Sequence, residues 1–186
     1  MDNILEANVF RLLRYRGYSW AFPQMSYGCW IADFIAWGKG KGILEVEIKR
    51  TWADYKNDYK KSATKNCLRG GYSFMNDVRI KKLSWLVDGK TNGKWRPNLF
   101  IYCAEPELAE RIVNDSDLPK GFGVWKIDRK HLYSCDGVIK RPRRLYKLSD
   151  KEFDGFKEAA FKKSLHLMDK YWEFVGHKEG LNEELI

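Results

Sequence analysis

Asp33, Glu47 and Lys49 are the residues on which chemistry could be built. Glu47 and Lys49 stand in Gly42-Ile-Leu-Glu-Val-Glu-Ile-Lys-Arg-Thr51, where Leu44, Val46 and Ile48 alternate with Glu45, Glu47 and Lys49. A period of two is that of a β-strand, so two carboxylates and an ammonium share one face while the other is apolar. Asp33 interrupts Cys29-Trp-Ile-Ala-Asp-Phe-Ile-Ala-Trp37, a strand otherwise apolar on both faces. An unpaired buried carboxylate costs on the order of several kcal/mol, so Asp33 needs a partner. Half a strand, a Gly-rich turn and half a strand back would set it beside Glu47 and Lys49. Carboxylates of this kind hold Mg²⁺, which keeps most of its waters and bridges protein to phosphate. Such an ion acidifies a bound water, and a nearby lysine orients that water or stabilises the charge that develops on phosphorus. The plainer alternative is a solvent-facing ladder in which Glu and Lys pair weakly.

The elements that must position these groups follow from pattern. Residues 3–15 read as an amphipathic helix with Leu5, Val9, Leu12 and Leu13 on one stripe, ended by Gly17. Glu6 falls inside that stripe, which points it toward the sheet; Asn3-x-x-Glu6 equally resembles a capping box. Strands are expected over 18–24, 28–37 and 42–51, the last two joined by Gly38-Lys-Gly-Lys-Gly42. A helix is expected over 51–65, a short helix near 77–87, strands at 98–104 and 123–127, and a helix at 106–113. A long C-terminal helix opens with Ser149-x-x-Glu152 and should close near Gly176. This order gives an α/β fold: a mixed sheet flanked by helices, in one domain spanning 1–186.

Composition narrows the partners. The 186 residues carry a formal charge of +9 and eight Trp, a globular chain whose basic excess favours a polyanion, nucleic acid first. Cys29, Cys67, Cys103 and Cys135 are far apart, without zinc-ligand spacing; three of them sit in apolar runs as small core residues, a pattern that suits free thiols in a reducing cytosol. No secretory signal or membrane-length apolar run is present, so a cytoplasmic protein of a bacterium or phage-infected cell is expected. His131, His166 and His177 have no triad-like partners, and there is no phosphate-binding Gly-rich loop.

Asp33 followed by Glu47-Ile-Lys49 resembles the PD-(D/E)XK nuclease superfamily. Within it, Glu47-Ile-Lys-Arg-Thr-Trp-Ala-Asp-Tyr-Lys-Asn-Asp-Tyr-Lys-Lys61 is similar to a phage and bacterial branch related to MmcB-like DNA repair proteins, as are 97–106 and 118–126. The resemblance runs from about residue 4 to 127; residues 128–186, a basic stretch and a helix, are unmatched. It implies a restriction-endonuclease-like α-β-β-β-α-β core and a Mg²⁺- or Mn²⁺-dependent DNA endonuclease. It also implies Asp33 and Glu47 as metal ligands, with the backbone carbonyl of Ile48, Lys49 as the catalytic lysine and Glu6 as the helix-borne acid. Ala32 stands where the superfamily often has Pro, Tyr55 where the branch has Phe, and Glu45 could compete with Glu47.

On the following helix, Asp54 and Asp58 read as helix electrostatics, and Trp52, Tyr55 and Tyr59 as a core stripe. Lys60 or Lys61, Lys81, Lys82, Arg141, Arg143 and Arg144 are the candidates for nucleic-acid backbone contact. Structure-specific cleavage in repair, recombination or phage DNA processing is the expectation, with RNA left open and a homodimer as the simplest way to bring two sites to two strands. A non-catalytic nucleic-acid-binding protein on the same fold is the alternative.

Overall fold

A computed structural model describes residues 3–64, 79–88, 95–128 and 137–183. Its elements, in chain order, are α1 (Asn3–Tyr15), β1 (Trp20–Tyr27), β2 (Trp30–Gly38), β3 (Gly42–Lys49), α2 (Trp52–Asn57), a 3-10 turn (Asp58–Lys60), β4 (Ser62–Thr64), β5 (Arg79–Lys81), α3 (Lys82–Asp88), β6 (Leu99–Ala104), α4 (Pro106–Val113), β7 (Gly123–Lys126), β8 (Val138–Lys140) and α5 (Asp150–Glu183). Six strands form one sheet in the order β1-β2-β3-β6-β7-β8, and β4 and β5 form a separate two-stranded ribbon.

The sheet is mixed. β1, β2 and β3 are successive antiparallel neighbours, β3–β6 and β6–β7 are parallel, and β8 returns antiparallel. Parallel strands require crossovers, which carry α2 and α3 before β6 and α4 before β7. Leu5, Val9, Leu12 and Leu13 of α1 bury against Phe34, Ala36, Leu44, Val46 and Ile48 on one face. A larger cluster covers the other face, with Ile35, Ile43, Tyr55, Phe100, Tyr102, Phe122 and Phe156 fully buried. β3 is therefore central and covered on both sides, as parallel strands are.

The register of β3 is pinned at its start. Asn98 donates its backbone N–H to Ile43 O at 3.0 Å and accepts Ile43 N–H on its side-chain oxygen at 2.9 Å. Gly42 lies at φ +112°, and a Cβ there would stand 2.6 Å from Asn98 Oδ1. Only glycine fits this approach.

Several boundaries differ from the sequence reading. The helix expected over 51–65 ends at Asn57, tightens into a 3-10 turn and becomes a strand, because Asp58 is drawn inward. The short helix starts at Lys82, after a strand. The C-terminal helix has the expected cap, Glu152 N–H on Ser149 Oγ at 3.3 Å and Ser149 N–H on Glu152 Oε2 at 3.0 Å, but passes Gly176 to reach Glu183. Cys103 is a free buried thiol, whereas Cys29 is disulfide-bonded, against the expectation of free thiols. Cys67, Cys135, His131, Lys90 and Lys94 lie outside the described residues.

Candidate active site

The face of β3 that carries charge does not look at water. Glu45 and Glu47 are buried with Lys49, Asp58 and Lys82 between the sheet and the α2, 3-10 and α3 segments. The two-residue period that sends Leu44, Val46 and Ile48 toward α1 sends the three ionic side chains the other way. A weakly paired solvent ladder is thereby ruled out.

These ions form one connected network. Lys49 Nζ lies 3.1 Å from Glu47 Oε2 and 2.7 Å from Asp58 Oδ2, and Lys61 Nζ lies 2.6 Å from Asp58 Oδ1 and 3.5 Å from Glu47 Oε2. Lys82 Nζ is 2.6 Å from Glu47 Oε1 and also 2.6 Å from Glu45 Oε1. The Tyr27 hydroxyl donates to Glu45 Oε2. Three carboxylates thus meet three ammonium groups, of which Lys61, at 40% side-chain exposure, is the one in contact with solvent. Tyr102, opposite Glu47 on β6, places its ring 5.7 Å from Lys49 Nζ.

Asp33 supplies a fourth carboxylate through a break in the sheet. The β2–β3 ladder runs from Gly38–Gly42 to Phe34–Val46 and stops, and the β1–β2 pairing passes from Pro23–Phe34 to Met25–Ala32. Gln24, across from Asp33 in β1, has φ +47°. Alternation slips here: Ala32 belongs to one core cluster and Phe34 to the other. Where the ladder stops, Asp33 Oδ2 accepts the Ile48 N–H at 2.7 Å. The carboxylate fills the gap between splayed strands, an irregularity of the kind that redirects side chains beside functional sites.

Electrostatics separates the acids. Burial raises the Asp33 pKa, and the charge on Glu47 adds to this. Burial also pushes Glu45 up to about 7, against the opposing pull of Lys82. Burial works on Glu47 too, but Lys82, Lys49 and Lys61 outweigh it and hold Glu47 well below the usual carboxylate range. Lys49 and Lys82 lose stability as cations through burial and regain more from their carboxylates, so both stay protonated above the ordinary lysine range.

The structure therefore brings Asp33, Glu47, Lys49 and Lys61 together, with Glu45 on the same strand face, and adds Asp58 and Lys82, which the sequence assigns elsewhere. Asp58, expected to serve helix electrostatics, is buried in the network, while Thr51 caps α2, its Oγ1 accepting the Asp54 backbone N–H at 3.1 Å. The signal was available: Asp58 adjoins Tyr59 and follows Tyr55 by three, on the stripe that packs as core. Lys82 was expected on nucleic acid and is instead buried against Glu45 and Glu47, a correction explained by Leu83, Trp85 and Leu86, which carry its helix into the core. Glu45 is a neighbour of Lys82 and Tyr27. Glu6 does not join the site, because α1 lies on the opposite face of the sheet; its carboxylate is 3.9 Å from Arg50. Lys60 and Lys81 are exposed or nearly so, and Arg141, Arg143 and Arg144 are exposed far away. Arg144 donates to Gly40 O at 2.8 Å, at the other end of β3.

Among the described residues no three acidic, His or Cys side chains converge as a ready metal cage. Mg²⁺ does not demand one, since it is bound through one or two carboxylates, waters and substrate phosphates. The donor set fits that pattern. Four carboxylates stand against three ammonium groups, and the excess one, half-buried Asp33, is the one next to Glu47 and Lys61.

Beside the network, at the carboxyl ends of β3 and β6, opens a cleft of about 700 Å³ lined by Arg50, Trp52, Leu108 and Arg111, with Glu105 and Asp128 on its wall. The Arg111 guanidinium stacks 3.9 Å from the Trp52 ring centre.

Comparison with known proteins adds the fold and no activity. No family of known proteins matches the chain, and no curated protein does. Among solved structures it is similar to the SPO1766 protein of unknown function from Silicibacter pomeroyi, with 16% identity and a TM-score of 0.54 over 88% of this chain and 86% of that one.

Proposed function

We propose that the chain is a Mg²⁺- or Mn²⁺-dependent nuclease acting on DNA, built on the PD-(D/E)XK plan. The observation that carries this reading is the meeting of Asp33, Glu47 and Lys49 at one break in the sheet, with Asp33 tied to the Ile48 N–H between the other two. Asp33 and Glu47 would hold the cation, with the Ile48 carbonyl in reach of the same place. When bound, the cation supplies charge neutralisation at the scissile phosphate and a water of lowered pKa.

The chain's own groups do the rest. Asp58 fixes the Lys49 ammonium, which donates to the attacking water or to a phosphate oxygen. Lys82, itself held by Glu45, keeps Glu47 ionised. Lys61 is the cation that an incoming phosphate meets first. Arg50 and Arg111, in the adjoining cleft, bind backbone phosphates without reading bases. The absence of a separate base-reading element among the described residues favours recognition of DNA structure over sequence.

A second reading rests on a specific observation: Glu47 has ammonium groups on both oxygens. A neutralised cluster of this kind could hold the fold of a nucleic-acid-binding protein without turnover. Supercoiled plasmid and a branched oligonucleotide, incubated with Mg²⁺, Mn²⁺ or chelator, separate the two. Nicking that needs metal and is lost in Asp33→Asn and Lys49→Met, with their circular dichroism unchanged, supports the nuclease. Binding without cleavage supports the second reading, and neither binding nor cleavage overturns both.

A further inference from the structure

Lys61 has a fixed backbone and a movable side chain. Its N–H donates to Asp58 O at 3.2 Å, and its carbonyl accepts the Lys82 N–H at 2.9 Å. The backbone is thus tied to the 3-10 turn on one side and to the start of α3 on the other, which leaves the flexible four-carbon side chain to turn. Its ammonium lies 2.6 Å from Asp58 Oδ1 and 3.5 Å from Glu47 Oε2, and its charge also acts on Asp33. It therefore faces both acids assigned to the cation, and its positive charge takes the part that the cation's would.

The three lysines of the network differ in their freedom to leave. Lys49 and Lys82 are buried, and turning either one away from its carboxylates would strand a charge in the core. Lys61 is half-exposed, and its departure strands nothing: Asp58 keeps Lys49 at 2.7 Å and Glu47 keeps Lys82 at 2.6 Å. Once it has turned, four carboxylates face two ammonium groups, a formal excess of two negative charges that a divalent cation matches. Water is a poor exchange for two carboxylates, whereas an anion outside the network gives Lys61 an equivalent partner. Lys60, Arg79 and Lys81 are exposed close to it, the last two on β5, which pairs with Ser62 and Thr64 just beyond Lys61. A strand of phosphodiesters drawn to these cations presents that anion.

We infer that Lys61 is an autoinhibitory plug over Glu47 and Asp33, withdrawn by a phosphate of the substrate strand, so that phosphodiester and divalent cation each strengthen the binding of the other. The inference rests on the nuclease reading and states how that site is regulated. Without substrate, the plug keeps the acids neutralised by the chain's own lysine. With substrate, the same lysine changes partner and the acids become available, a coupling that is equal in both directions.

Two titrations of the full chain at fixed ionic strength test it. Mn²⁺ binding without nucleic acid is read from the free-ion electron paramagnetic resonance signal. A labelled branched duplex with a phosphorothioate backbone, which resists cleavage, is followed by fluorescence anisotropy in Mn²⁺ or in chelator. The wild-type chain should bind the duplex at least about fivefold more tightly in Mn²⁺. Lys61→Ala should bind Mn²⁺ alone several-fold more tightly than wild type, and its duplex affinity should differ by less than about twofold between Mn²⁺ and chelator. Lys61→Arg, which keeps the charge, should restore the coupling. Asp33→Asn should remove the effect of Mn²⁺ on the duplex, which separates this site from cations condensed on DNA. A coupling of the same size in wild type and Lys61→Ala, or one that Lys61→Arg fails to restore, overturns the plug. So does Mn²⁺ binding that leaves duplex affinity unchanged, and in each of these cases the nuclease reading stands. Mn²⁺ that binds neither protein and has no effect on the duplex overturns both.

Discussion

Lys49 and Asp58 are 2.7 Å apart with their side chains 2% and 0% exposed, a buried ion pair joining the third strand to the turn after the second helix. Removing one member of such a pair leaves the other charged and unpaired. Asp58→Ala should lower the unfolding free energy by about 3–5 kcal/mol. Asp58→Asn with Lys49→Met should be less destabilised than the sum of the two single variants. Denaturant titrations of the four proteins measure this, and additive losses would show that the pair is not coupled.

Neighbouring lysines should behave oppositely. Lys81 is exposed, whereas Lys82 is buried between Glu45 and Glu47. Lys81→Ala should change stability by no more than about 0.5 kcal/mol. Lys82→Ala should cost about 3–5 kcal/mol, and Glu45→Gln in that background should recover part of it. Thermal melts of the three variants decide the matter.

Lys61 competes with any cation for Glu47. Lys61→Ala removes a half-exposed ammonium 3.5 Å from Glu47 Oε2 and should tighten Mn²⁺ binding several-fold, read by the loss of the free-ion electron paramagnetic resonance signal. Asp33→Asn should abolish that binding. Unchanged affinity in both would place the cation elsewhere.

Alkaline pH should unfold the protein steeply. Burial raises the phenol pKa of Tyr18 to about 12, and raises Tyr27, Tyr55, Tyr59, Tyr102 and Tyr146 as well. Each keeps its proton in the fold beyond the pH at which the unfolded chain releases it. Stability present below pH 10 is therefore lost as pH rises above it, by about 1.4 kcal/mol per unit for each fully shifted phenol. Absorbance at 295 nm should show a minority of the ten tyrosines ionising before the circular dichroism collapses. Gradual ionisation of all ten in a folded chain would contradict this.

Gly42→Ala should destabilise by about 1–3 kcal/mol, because the backbone is left-handed and the added methyl would meet Asn98. The urea midpoint should fall with its slope unchanged.

Much of the architecture was legible because it rests on local periodicity. Leu44, Val46 and Ile48 announced a strand and the stripe of α1 announced its packing face, so the mixed sheet with flanking helices follows. Asp33 beside Glu47 was legible for a different reason: a carboxylate in an apolar strand has to be compensated. Asp58 was legible only through its neighbours Tyr55 and Tyr59 on the core stripe, and Lys82 was not legible, since it lies on a polar-looking run whose inward turn depends on the α3 core, set by distant contacts. Glu6 was misplaced because a helical wheel shows that a residue faces the sheet, not which face of the sheet its helix covers.

The tie between Asn98 and Ile43 has a consequence for how this chain chooses among possible pairings. A slip of β3 by one residue would exchange Leu44, Val46 and Ile48 with Glu45, Glu47 and Lys49. Three ions would then enter the apolar layer beneath α1, far from Lys82, Asp58 and Tyr27, while three aliphatic side chains met those stranded charges. Each such error carries a penalty on the order of several kcal/mol, so mispaired sheets lie well above the native one. The buried charges, which add little to stability, thus widen the gap that makes a single strand alignment the one the sequence specifies.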